Sequence, residues 1–197
     1  MREEEKDEIA RQVTDKVTKK IIYTVVVVVI VLFLLKMCVF MSYKKKDPVQ
    51  HFYEGRRAYI EHSYKGAIYH LSLAIKIDRK YTEAYLIRGL SNFELKNYED
   101  AIYDFTKCIK YDPNNDEAYY WRSVVYDEIE DIKNAISDIS MAIELDPDNP
   151  DYYYTRGTYY YVNEEYYDYD KFLKDCKKAC ELGEYYSCER LNRLLEE

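Results

Sequence analysis

Aligned with itself at an offset of 34 residues, the chain repeats from Pro48 through residue 183, and no other feature restricts its fold so strongly. A small residue recurs at Gly55, Gly89, Ser123 and Gly157. A second small column holds Ala67, Ala101 and Ala135. Four positions later stand bulky Leu71, Phe105 and Ile139, and three further on Ala74, Cys108 and Ala142. Spacings of three and four put these side chains on one face of a helix. The small residues let two helices approach closely, and the bulky ones fill the space beside them. Asp78, Asp112 and Asp146 close successive units. Pro113 and Pro147 follow the last two and stop the helix, because a residue before proline is pushed out of the α region. Further columns hold Tyr64, Tyr98, Ile132 and Tyr166, then Tyr85, Tyr119 and Tyr153, with Arg88, Arg122 and Arg156 three residues on. Pro150 follows Asn149 and suits a first helical turn, where its missing N–H is harmless. Each unit therefore reads as two antiparallel helices, and one such pair buries its apolar face only by stacking on the next.

This period and these columns resemble the tetratricopeptide repeat. The second unit, 82–115, carries Tyr85, Gly89, Tyr98, Ala101, Phe105 and Pro113 where that family puts its signature residues. The third, 116–149, carries Tyr119, Ser123, Tyr126, Ala135, Ile139, Ala142 and Pro147. The first, 48–81, is degenerate, with His51 at the usual aromatic site and Arg79 at the usual proline. The fourth, 150–183, opens well with Tyr153, Gly157 and Tyr160, and its second helix then slips by three residues. The resemblance implies an all-α fold, a right-handed α-α superhelix of helix pairs. A last helix within 184–197 would cover the apolar end, as solenoids require.

Before the repeats lies an almost wholly apolar run, Ile21 to Met41, broken mainly by Thr24 and Lys36. A bilayer core of about 30 Å needs about 20 helical residues, so this run fits a single transmembrane helix. Lys36 lies where its ammonium can snorkel outward. A cleaved signal peptide fits poorly: the leading segment 1–20 contains six acidic residues, and no small-x-small site follows the run. The organisation expected is a charged segment 1–20, a span 21–41, a basic linker 42–47, and the repeats. Lys44, Lys45 and Lys46 tip the orientation towards repeats facing the cytoplasm, although Lys and Arg are nearly balanced across the two flanks. Charge is unevenly divided, with a net of +3 over residues 1–47 and −11 over 48–197. The acidic repeats would repel phosphate backbones, so nucleic acid is not the partner.

The resemblance also implies where a partner would bind. First helices line a concave groove, and groove slots hold Phe52, Arg56 and Tyr59; Leu86, Leu90 and Phe93; Tyr120, Val124 and Asp127; and Tyr154, Thr158 and Tyr161. Such a face suits an extended or helical peptide with apolar anchors and a basic residue. Tyr154 and Tyr161 stand out within the tyrosine-rich stretch 152–169. The slots by which some members clamp acidic chaperone tails hold Phe52, Arg56, Ile87, Glu117 and Trp121. Only Arg56 is basic there, so that activity is not expected. The reading is a membrane-anchored adaptor for a protein or peptide. A self-associating structural component, homo-oligomeric through its end helices or its span, is the alternative.

Catalytic, cofactor and metal sites are not expected. His51, His62 and His70 all fall in the first unit with no nucleophile motif around them and read as solvated. The five glycines are isolated, so no phosphate loop is present. Asp112 to Asp116 lacks the glycine and terminal glutamate of a calcium loop. The five cysteines, Cys38, Cys108, Cys176, Cys180 and Cys188, form no C-x-x-C pair. Bridged relatives of this repeat place pairs like Cys180 and Cys188 on facing helices. The odd count favours two small buried thiols in a reducing compartment.

Overall fold

The structure, a computed structural model, describes residues 3–43 and 47–195. The described residues form ten helices and no strand. They divide into two compact units, one ending at Lys46 and one beginning at Asp47.

The first unit is a single helix, α1 (Glu3–Tyr43). Its charged start and its apolar run are continuous, and residues Thr14–Met37 are long and apolar enough to cross a membrane. At 1.5 Å per residue these reach about 36 Å. The hydroxyls of Thr18 and Thr24 donate to carbonyls one turn back, at 2.7 and 2.8 Å, so neither presents an unsatisfied donor. Lys44, Lys45 and Lys46, on which the expected orientation rests, lie outside the described residues.

The second unit is four helix pairs and a closing helix. The pairs are α2 (Pro48–Ile60) with α3 (Tyr64–Ile77), α4 (Thr82–Glu94) with α5 (Tyr98–Tyr111), α6 (Asp116–Glu128) with α7 (Ile132–Leu145), and α8 (Pro150–Val162) with α9 (Tyr169–Glu181). Helix α10 (Tyr185–Leu195) packs on α9. Each second helix also packs on the first helix of the next pair, and the first helices α2, α4 and α6 touch in succession.

The small columns sit at the closest approaches. A β-carbon added at Gly55 would lie 2.6 Å from Leu71 Cγ, and one at Gly89 would lie 2.7 Å from Phe105 Cε1. Ala67, Ala101, Ala135, Leu71, Phe105 and Ile139 are fully buried. Asp78, Asp112 and Asp146 cap their helices, and each accepts a backbone N–H two residues on. Pro48 and Pro150 occupy first turns. The turns inside the first three pairs reverse the chain through His62, Lys96 and Glu130, all with φ near +60°. This is the left-handed C′ position usually given to glycine. In the fourth pair that turn is replaced by a longer connection. Tyr166, aligned with the helix openers Tyr64, Tyr98 and Ile132, therefore falls in the loop, and Tyr169 opens α9.

A polar ladder ties the pairs together. Arg88, Arg122 and Arg156 each grip a buried carboxylate on their own second helix with two guanidinium nitrogens: Asp104 at 2.9 and 2.6 Å, Asp138 at 2.6 and 2.9 Å, Asp175 at 2.9 and 2.8 Å. Their remaining Nη1 groups donate to the preceding pair, at Ser72, Thr106 and Ser140. The fork geometry of arginine makes both contacts at once.

The expectation of two reduced thiols at the C-terminal end is corrected. Cys180 and Cys188 form a disulfide with Cα atoms 4.7 Å apart, pinning α10 to α9. The turn at Gly183, φ +101°, and the Glu184 carboxylate, which accepts the Tyr186 and Ser187 backbone N–H groups, bring the two cysteines face to face. Cys108 and Cys176 are buried free thiols, pushed up by burial to about 12 and about 11.

Candidate interaction face

The first helices present a band of aromatic contacts that runs from pair to pair. Phe52 on α2 packs 5.0 Å from the Tyr81 ring, which precedes α4. Phe93 on α4 meets Trp121 on α6 at 5.9 Å. Tyr120 on α6 stacks on Tyr152 of α8 at 5.1 Å, and the Tyr152 hydroxyl donates to Asp116 at 2.6 Å. Burial raises the Tyr120 and Tyr152 phenols, and the Asp116 carboxylate raises Tyr152 further. Both stay neutral hydrogen-bonding groups.

The twelve residues expected in the groove divide by accessibility. Phe52, Tyr59, Phe93, Tyr120, Val124, Tyr154 and Thr158 are half-buried, while Arg56 and Asp127 are exposed. Leu86 and Leu90 are buried in the core formed by the first two pairs. Tyr161 is exposed as well, with part of its ring packed within the chain: it lies 4.6 Å from the Phe172 ring, and the Arg190 guanidinium of α10 sits 4.5 Å over it. Glu83, Glu117 and Asp151 occupy neighbouring slots of the same helices and are exposed. The accessible surface is thus aromatic, with carboxylates around it.

The histidines are not all solvated. His62 is exposed in its turn, whereas His51 is buried and His70 is half-buried. Among the described residues, His51, Glu54 and His70 hold one potential ligand atom each within 4.8 Å of one another. The sequence reading missed this grouping because His70 is on α3 and the other two are on α2.

Four stacked helix pairs with a closing helix define an α-helical repeat solenoid. Its second and third pairs are tetratricopeptide repeats. Residues 82–115 and 116–149 each match a tetratricopeptide-repeat profile. Among solved structures, MamA is 24% identical with a TM-score of 0.68, over 75% of this chain and 85% of that one. The Arabidopsis OM64 TPR domain is 25% identical with a TM-score of 0.56, over 57% of this chain and 93% of that one. The first TPR of Spaghetti (RPAP3), solved bound to the HSP90 peptide SRMEEVD, is 17% identical with a TM-score of 0.57, over 59% of this chain and 94% of that one. No curated protein sequence matches the chain significantly. The family and fold make the repeat unit a protein-interaction module.

Proposed function

We propose that this chain is a membrane-anchored adaptor whose first-helix face binds a peptide or protein segment bearing apolar anchors and at least one basic residue. The observation that carries the reading is the aromatic band on successive first helices with Glu83, Glu117, Asp127 and Asp151 exposed beside it. Aromatic side chains supply contact area at low entropic loss, and the carboxylates steer a cationic partner. The binding residues are Phe52, Arg56, Tyr59, Phe93, Tyr120, Val124, Asp127, Tyr154, Thr158 and Tyr161. Leu86 and Leu90 support them from beneath. The acidic peptide named with the RPAP3 structure is a poor guide here, since Glu117 and Asp127 would repel it. α1 is the anchor.

The Cys180–Cys188 disulfide supports repeats that face an oxidising compartment, opposite to the side the flanking lysines favour. A membrane-impermeant thiol reagent applied to intact cells, with Ser63→Cys as the label site, decides this: labelling without lysis places the repeats outside.

The binding test is capture by the full chain in detergent, followed by the same capture with Glu117→Lys combined with Asp127→Lys. Loss of captured protein, with retention by a Lys133→Glu control, supports the reading. Unchanged capture by the charge-reversed variant refutes it. Carbonate extraction checks the anchor, and release into the supernatant would remove it. Exposed Tyr185 and Tyr186 on α10 favour a second reading, end-to-end self-association, which sizing against concentration would reveal.

A further inference from the structure

The first pair departs from the polar ladder in a coordinated way. Glu54 occupies the slot of Arg88, Arg122 and Arg156, and His70 occupies the slot of Asp104 and Asp138, with the same separation of 16 residues as in those pairs. The charge order is therefore reversed, and the permanently charged arginine is replaced by an imidazole on the opposite helix. A third slot changes with them. His51 stands where the later units have Tyr85, Tyr119 and Tyr153. Two of those tyrosines, Tyr85 and Tyr153, donate to carbonyls in the turn that precedes their own helix.

All three replacements converge on one point. His70 Nδ1 lies 3.1 Å and His51 Nδ1 lies 3.6 Å from the same oxygen, Glu54 Oε2. One imidazole is enough to balance one carboxylate, as one arginine does in each later pair. The second imidazole goes beyond what an ion pair needs.

We propose that His51, Glu54 and His70 form a binding site for a divalent transition-metal ion, zinc being the reference case. Two imidazole nitrogens and a carboxylate oxygen are a donor set that zinc accepts at about 2.0–2.2 Å, and tetrahedral ligands at that radius stand about 3.4 Å apart. The two separations to Glu54 bracket that edge length, and all three ligand atoms lie within 4.8 Å of one another. Protein ligands fill three positions and water takes the fourth. The side-chain exposures of 11% for His51 and 31% for both Glu54 and His70 leave a path for the ion and the water. Supporting contacts hold the ligands: Gln50 Nε2 donates to the other carboxylate oxygen, Glu54 Oε1, at 3.4 Å, and the Tyr69 ring stands edge-on to His70 at 5.2 Å. The ion staples α2 to α3 in the one pair whose Arg–Asp clamp is missing.

The test uses the full chain in detergent micelles, with zinc uptake measured by equilibrium dialysis and cobalt(II) as a spectroscopic probe of coordination. Wild type takes up one zinc, and cobalt gives visible d–d bands without a thiolate charge-transfer band. His51→Ala and His70→Ala each weaken uptake at least about tenfold. His62→Ala, in the exposed turn, binds as wild type. The discriminating variant is Glu54→Arg with His70→Asp, which installs the clamp of the later pairs. It keeps the wild-type melting temperature or raises it, and it takes up no zinc. Absence of zinc uptake by wild type, equal uptake by that double variant, equal loss in His62→Ala, or a cobalt–thiolate band would each overturn the site.

Discussion

Removing Arg122 tests the ladder at its middle rung. Asp138 is buried, and both its carboxylate oxygens accept from Arg122. Arg122→Ala leaves that charge in place and withdraws its counterion, together with the hydrogen bond to Thr106. Breaking a buried pair from one side costs about 3–5 kcal/mol, because the remaining charge stays desolvated. For a unit of this size each kcal/mol lowers the melting temperature by about 2–4 °C, so the expected drop is about 6–20 °C. The equivalent change in the second pair is milder. Asp104 also accepts from Asn92 at 3.1 Å, so Arg88→Ala leaves it one donor. That hydrogen bond to a charged group is worth about 1.5–3 kcal/mol, and the gap between the two variants should approach it. Arg122→Met with Asp138→Leu removes both charges and should recover at least half of the loss. Trp121, the only tryptophan, lies in α6 and reports on the repeats without interference from α1. Thermal melts followed by its fluorescence, on the full chain in detergent, give the four midpoints. A melt of Arg122→Ala within about 1 °C of wild type, or a double variant less stable than the single one, would refute the argument.

Gly89→Ala forces a methyl to within 2.7 Å of the Phe105 ring and should destabilise by about 1–3 kcal/mol in the same assay, whereas Gly183→Ala meets no neighbouring atom and acts only through its positive φ. Lys96→Gly relieves a non-glycine residue at φ 60° and should raise the midpoint, the gain being up to about 1 kcal/mol after the added backbone freedom of the unfolded chain is counted. Cys188→Ser opens the short loop closed by the disulfide, and loop-closure entropy predicts a loss of about 2–3 kcal/mol; no change on substitution or reduction would contradict the pairing. Cys108 and Cys176, held near 12 and 11 by burial, should stay unreactive to an alkylating reagent at pH 8 until the repeats unfold.

The helix pairs were legible in the sequence because close packing leaves a periodic imprint. Gly89 under Phe105 and Ala101 inside the same contact are visible as columns before any coordinates are considered. The ladder was half legible. The arginine column is plain, but its partners lie 16 or 19 residues away on another helix, and only the pairing register brings them together. The same reason hid Glu54 beside His70. The period places the turns, but the left-handed conformation at His62, Lys96 and Glu130 gave no signal, since such a residue is recognised by glycine and none is present. On the interaction face, slot analogy placed Leu86, Leu90 and Tyr161 with the others. It does not register that neighbouring helices cover the two leucines, whereas Tyr161 stays exposed beside Arg190. The disulfide was one of two readings of Cys180 and Cys188, and the odd cysteine count weighed against it, whereas pairing depends on the tight turn at Gly183.

Each rung of the ladder spans a boundary between neighbours: Arg88 to Ser72, Arg122 to Thr106, Arg156 to Ser140. In a one-dimensional array, such cross-boundary bonds set the coupling between adjacent units, and coupling decides whether the array melts unit by unit or as a single block. The bonds also have a polarity. Every arginine reaches backward, towards the N-terminal neighbour, so unravelling from the C-terminal end breaks a clamp and a boundary bond together with each pair lost. Loss of the first pair alone breaks one boundary bond and no Arg–Asp clamp. The polar ladder therefore makes the two ends of the array unequal, the C-terminal end losing more polar contacts with each pair that detaches.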